Sequence, residues 1–187
     1  MSKKLLVFLS LLILPSCIET VAVATFGTGY LLAREKTVAE TFTDSAILTK
    51  ATKVLVKNNQ DGRFSQINLS VYDGRVLLVG YSSKKAYVQE AMKLVWSINN
   101  VSEVINEVSY DVADKHQNHF KDFALLANIK TQIIWNDDLK AKDVNITIYN
   151  GRIYILGNAD NEDKLKAIAE ISSSVKGVKK VISHIQS

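Results

Sequence analysis

One cysteine and three histidines in 187 residues leave little material for a disulfide framework, a metal cage or a histidine-dependent active site. The sole cysteine, Cys17, excludes an intramolecular disulfide. Charge of one sign is also scarce. There are 23 basic residues against 19 acidic ones, and setting aside Lys3 and Lys4 leaves 21 against 19. With no run of Lys or Arg, no nucleic-acid partner is implied. The one long apolar run, Leu5–Leu14, is too short to span a bilayer as a finished helix.

Catalytic constellations are missing in the same way. His116 and His119 are spaced like a weak metal pair, but a solvated linker accounts for them and no third ligand lies near. His184 stands in a terminal strand with no nucleophile or paired carboxylate in its motif, and Asp137-Asp138 reads as a loop after a helix. Gly27-Thr28-Gly29 lacks the preceding strand and following helix of a phosphate loop. The expectation is a binding protein, with no enzyme activity and no metal.

What is present is a repeat. Val71–Gly80 (VYDGRVLLVG) and Ile148–Gly157 (IYNGRIYILG) share apolar–Tyr–Asp/Asn–Gly–Arg, four apolar or aromatic residues, then Gly. Asp-Gly or Asn-Gly between alternating apolar runs signals a hairpin, because a type I′ turn needs positive φ at both central residues. The same 77-residue offset places Val101, Val104, Ile105 and Val108 on Val178, Val181, Ile182 and Ile185. Upstream, Asp44, Ile47, Ala51 and Leu55 match Asp122, Leu125, Ile129 and Ile133, with one residue of slippage.

Each copy reads as helix, strand, strand, helix, strand. In the first, Asp44 is read as an N-cap, and Ile47, Ala51, Val54 and Leu55 follow at helical spacing. Ile67, Leu69 and Val71 alternate as a strand, the hairpin leads to Val76–Val79, a helix starts at Ser83, and Val101–Tyr110 is the last strand. In the second, a helix runs from Asp122 to about Trp135, with strands Val144–Ile148 and Arg152–Gly157. A helix from about Asn161 to Ser174 and a strand Val178–Ile185 complete it, with Gly177 placed as a C-cap glycine. A strand–helix–strand crossover of this length favours parallel pairing. The expected fold is α+β: two tandem αββαβ domains, each a three-stranded mixed sheet with two helices on one face. The polar stretch 111–121 links residues 44–110 to residues 122–187. Arg75 and Arg152 read as exposed strand starts, and Trp96 as packing.

The N-terminus carries its own pattern. Lys3 and Lys4 precede the apolar run, which ends in Leu14-Pro15-Ser16-Cys17. This resembles a bacterial lipoprotein signal, although Pro15 is an unusual occupant of its lipobox position. The resemblance implies a signal peptide over 1–16, a covalent lipid on Cys17 as the anchor and no other cofactor. Residues 17–43 then form the lipidated N-terminus and tether. Ile18 after the cysteine, rather than Asp, implies sorting to the outer membrane.

The paired hairpins and the closing strand Val101-Ser102-Glu103-Val104-Ile105-Asn106-Glu107-Val108, matched by Val178-Lys179-Lys180-Val181-Ile182, resemble BON domains. With the lipobox and tether, the chain is similar to the dual-BON outer-membrane lipoproteins of Gram-negative bacteria, the division- and outer-membrane-stress-associated lipid-binding family. The resemblance implies anionic phospholipid binding by the second BON domain and a role in outer-membrane integrity. It places the protein on the periplasmic face.

The two first helices differ on their outer faces. In the first copy that face is Ser45, Thr49, Thr52 and Val56; in the second it is Phe123, Ala127, Lys130 and Ile134, with Trp135 just beyond. A helix apolar on both sides buries the second side against something. Three occupants are open: a membrane interface, where Phe and Trp seat at headgroup depth and Lys130 meets phosphate; the first domain; or a protein partner. The phospholipid-binding candidates are therefore Phe123, Ala127, Lys130, Ile134 and Trp135. The other function class is a periplasmic adaptor that modulates an envelope enzyme or assembly machine. Oligomeric state is left open.

Overall fold

A computed structural model describes residues 38–136, 139, 144–158 and 162–186. The expected signal peptide, Cys17, the tether up to residue 37, and Asp137-Asp138 lie outside the described residues. The first unit is α1 (Val38–Lys57), β1 (Ile67–Tyr72), β2 (Arg75–Tyr81), α2 (Lys85–Trp96) and β3 (Glu103–Ser109). A 3₁₀ turn, Val112–Asp114, leads to the second unit: α3 (His119–Ile134), β4 (Val144–Tyr149), β5 (Arg152–Asn158), α4 (Glu162–Ser174) and β6 (Lys180–Gln186). Each is the expected α+β unit, with β1 antiparallel and β3 parallel to β2, and β4 and β6 arranged likewise about β5.

The two turns adopt the geometry their sequences require. Asp73 and Gly74 have φ of 55° and 73°, and Asn150 and Gly151 have 49° and 74°. Both residue types tolerate the left-handed region, which matches the twist of the flanking strands. Gly80 is fixed by space instead. It has φ 139°, and a Cβ there would lie 1.9 Å from the Gln66 carbonyl oxygen.

Asp44 and Asp122 do something other than cap. The first helix begins at Val38, six residues before Asp44, and the third is capped by Asn118, whose side chain accepts from the Lys121 N–H. Asp44 turns its carboxylate to the hairpin tip and accepts from the Asp73 and Gly74 N–H groups at 2.9 and 3.0 Å. Asp122 holds the second tip identically, from Asn150 at 2.8 Å and Gly151 at 2.9 Å. A charged acceptor is satisfied at the point where tip amides would otherwise be buried without partners.

Each unit has a core between its helices and one face of its sheet. In the first, Ile47, Ala51 and Leu55 of α1 and Val88, Ala91 and Val95 of α2 pack on Val71, Val76, Leu78 and Val108. In the second, Ile129 and Ile133 of α3 and Ile168 of α4 pack on Ile146, Ile148, Ile153 and Ile155. The alternate strand residues form a third core. Tyr72, Leu77, Val79, Tyr81 and Ile105 of one sheet meet Tyr149, Tyr154 and Leu156 of the other. The sheets thus pack face to face, with a helix pair outside each, in four layers. Both central strands are buried on both faces, which is why their sequences, VLLV and IYIL, do not alternate.

Polar groups close the edges of this interface, and one of them overturns an expectation above. Arg75 is buried rather than exposed. It donates to Glu103 at 2.6 Å and crosses to the His184 carbonyl at 2.8 Å. His184 itself has a carboxylate partner, Glu107, at 2.9 Å. The linker is pinned rather than merely solvated. Buried Asp114 accepts from Ser109 at 2.6 Å and from Arg152, while its backbone carbonyl accepts from the Tyr149 hydroxyl at 2.8 Å. Burial raises the Asp114 carboxyl pKa, but the hydrogen bonds and the Arg152 charge outweigh it, so the carboxyl stays below its usual range. Burial also pushes the Tyr154 phenol up to about 12.

Candidate functional site

The outer flank of α3 is the largest run of exposed apolar side chains among the described residues. Phe120 and Trp135 are each 82% exposed, Phe123 71% and Ile134 65%. Ala127 is exposed as well. At about 100° per residue, Phe123, Ala127, Lys130 and Ile134 fall within an arc of roughly 60°, about 120° round from the row formed by Asp122, Ile129 and Ile133. Phe120 continues that arc toward the N-terminus. Trp135, the C-cap residue, closes the other end, about 22 Å away along the axis.

The reasons for this placement are local. Asn118 caps the helix, Asp122 ties its first turn to the β4–β5 tip, and Ile129 and Ile133 fix its rotation against the sheet. Gln117 donates to Asp122 at 2.9 Å, and the Asn118 N–H donates to Asn150 at 3.2 Å. The apolar stripe therefore rides on a helix held at its N-terminal end, and it does not pack on the first unit, whose sheet meets the far side of the second. Domain packing is thereby set aside as the occupant of this face. Lys130 is only partly exposed, and burial of its side chain lowers its pKa.

All five residues expected from the sequence thus lie on α3 or at its cap, brought to one side of it with Trp135 at the end. Phe120 was missed. Starting the helix at Asp122 hid it, although its spacing of three from Phe123 is a helical signal. Trp96, read as packing, stands 58% exposed at the end of α2. The unit-one counterpart of the stripe, Ser45, Thr49, Thr52 and Val56, presents only Val56 as a large exposed apolar residue. His116 and His119 are both exposed. Among the described residues no helix is long and apolar enough to cross a membrane.

The BON domain family model matches residues 43–111 and 121–187, one match on each unit. The chain belongs to the BON domain family. Its two BON units also align nearly end to end with a curated relative. The outer membrane lipoprotein DolP of Haemophilus influenzae is 29% identical over 96% of this chain and 93% of its own length. An uncharacterised protein from the gshII 5′ region of Anaplasma centrale is 34% identical, covering 76% of this chain and 93% of its own. A 21 kDa hemolysin of Actinobacillus pleuropneumoniae is 28% identical over 70% of this chain and 67% of its own.

Proposed function

We propose that this BON protein is a non-enzymatic outer-membrane lipoprotein, anchored through Cys17 on the periplasmic face, that binds anionic phospholipid through α3 and supports outer-membrane integrity. The observation that carries the reading is the row Phe120, Phe123, Ile134 and Trp135, exposed on a helix whose core-facing residues, Ile129 and Ile133, are already buried against the sheet. An exposed apolar row of this size costs free energy in water and gains it at a lipid interface, where its aromatic rings seat at headgroup depth. The end-to-end similarity to an outer membrane lipoprotein supports the location. On this reading residues 1–16 are removed and the lipidated tether runs from Cys17 to the start of α1 at Val38.

Co-sedimentation with vesicles tests it. Residues 38–187 contain both cores and the interface between them, and lack the anchor. They are expected to bind vesicles containing phosphatidylglycerol, to bind less as salt is raised, and to ignore phosphatidylcholine alone. Phe123→Asp, at an exposed position, abolishes that binding with unfolding midpoints unchanged. Absence of binding to any vesicle leaves the acyl chain as the sole membrane contact and turns attention to a protein partner on the same face.

A further inference from the structure

The outer helices of the first unit carry charge of one sign. Lys50, Lys53 and Lys57 of α1 are all exposed, and Ser45–Lys57 contains no Asp or Glu. At about 100° per residue they share an arc of roughly 60° with Ala46, about 130° round from the core row Ile47, Ala51 and Leu55. From Lys50 to Lys57 the row runs about 10 Å along the axis. Val56, 69% exposed, stands beside it. Among the described residues no carboxylate pairs with Lys50, Lys53 or Lys57. On α2, Lys85 and Lys93 are exposed too, and the one carboxylate of that helix, Glu90, accepts from Arg63 at 2.8 Å.

The fold does not need this row. Lys50 and Lys53 stand three apart, and Lys53 and Lys57 four apart, spacings at which like charges destabilise a helix. Lys57, in the last turn, gains from the negative helix end; Lys50 and Lys53 precede that turn. The second copy manages without the charges. The equivalents on α3 are Asn128, Thr131 and Trp135, and α4 balances Lys164 and Lys166 with Glu162, Asp163 and Glu170. The cationic surface therefore belongs to the first unit alone. It lies in the outer layer opposite the one that holds α3.

We propose that Lys50, Lys53 and Lys57 form a docking row for an acidic helix of a partner protein, with Val56 as its apolar neighbour. The argument is charge complementarity. A helix laid along α1 presents carboxylates at the same three- and four-residue spacing, so each lysine meets one, and the repulsion within the row is relieved on binding. The apolar side chain beside the charges fits a protein surface, which buries apolar and charged groups together. The proposal stands independently of what covers α3. It gives the chain two working faces, one in each outer helical layer.

The test is fluorescence anisotropy of a labelled alanine-based helical peptide, with glutamates at i, i+4 and i+7 and a leucine beside them, titrated with residues 38–187. A control peptide of the same composition spaces its glutamates evenly round the helix. The row peptide is expected to bind more tightly than the control, and more weakly as salt is raised. The triple variant Lys50→Gln, Lys53→Gln, Lys57→Gln is expected to weaken it about ten-fold, and the triple arginine variant to retain it. Equal binding of the two peptides, or unchanged binding by the glutamine variant, overturns the proposal. A peptide with lysines in place of the glutamates tests the charge without altering the protein; binding as tight as that of the glutamate peptide also overturns it. Phosphatidylglycerol vesicles are the last arm. The glutamine variant is expected to bind them as the natural sequence does, and loss of that binding would assign the row to the membrane instead of a protein helix.

Discussion

Glu107 and His184 occupy the same position in the two units, 77 residues apart, and they meet each other across the interface at 2.9 Å. Equivalent residues of two copies touch only near an axis that relates the copies. The sheets therefore face each other as a dimer interface would, but within one chain. Tyr72 and Tyr149, Leu77 and Tyr154, and Val79 and Leu156 are likewise equivalent pairs within one apolar cluster. The symmetry is broken where specificity is needed. Arg75 crosses to the other unit, whereas its equivalent Arg152 turns to the linker's Asp114.

That crossing, with the shared apolar cluster, is expected to make the two BON units unfold together. Arg75→Ala removes a buried charge that ties β2 to β6 and is expected to destabilise the chain by about 2–4 kcal/mol. Trp96 lies in the first unit and Trp135 in the second, so Trp135→Phe and Trp96→Phe variants each report one unit by fluorescence. In urea the two probes are expected to show coincident midpoints, and Arg75→Ala to separate them. Midpoints already separate with Arg75 in place contradict the coupling.

Loss of the carboxylate under a hairpin tip leaves two backbone N–H groups without their charged acceptor. Asp122→Ala is therefore expected to cost about 2–3 kcal/mol. The Asn150 and Gly151 amides, which Asp122 accepts from, should lose protection in hydrogen exchange before the rest of β5. Asp122→Asn is expected to recover part of the loss, since one amide oxygen still accepts. Full stability in the alanine variant would show that the tip holds itself.

Asp114 gives stability a definite pH dependence. Its folded pKa lies below the ordinary 3.8, so its contribution is complete above the unfolded value and is lost as pH falls through the folded one. The urea midpoint is expected to be flat from about pH 7 to 5 as far as Asp114 is concerned and to fall below that. Asp114→Asn is less stable at neutral pH and falls less steeply on acidification. Parallel curves for the two proteins would remove Asp114 from the linkage.

Much of this was legible in the residues. The Asp-Gly and Asn-Gly turns, the 77-residue offset and the helical spacing of Ile47, Ala51 and Leu55 specify the unit, because each follows from local geometry. The face-to-face sheets were not read, although VLLV and IYIL carried the sign: a strand buried on one face alternates, and these do not. Asp44 looked like a cap because an aspartate before an apolar helical row usually is one; its actual partners lie about thirty residues away. Phe120 was lost with the same boundary error at Asp122. The Glu107–His184 pair could not be read from either motif alone, since it exists only through the packing of one unit on the other.

The position of Trp135 against lipid tests the central claim most directly. With Trp96→Phe as background, Trp135 is the sole tryptophan, and its emission is read on adding vesicles whose lipid chains carry bromine at shallow or deep positions. A blue shift on phosphatidylglycerol vesicles, with quenching strongest from shallow bromines and absent in Phe123→Asp, is the predicted result. Emission unchanged by saturating anionic vesicles would contradict lipid binding through α3.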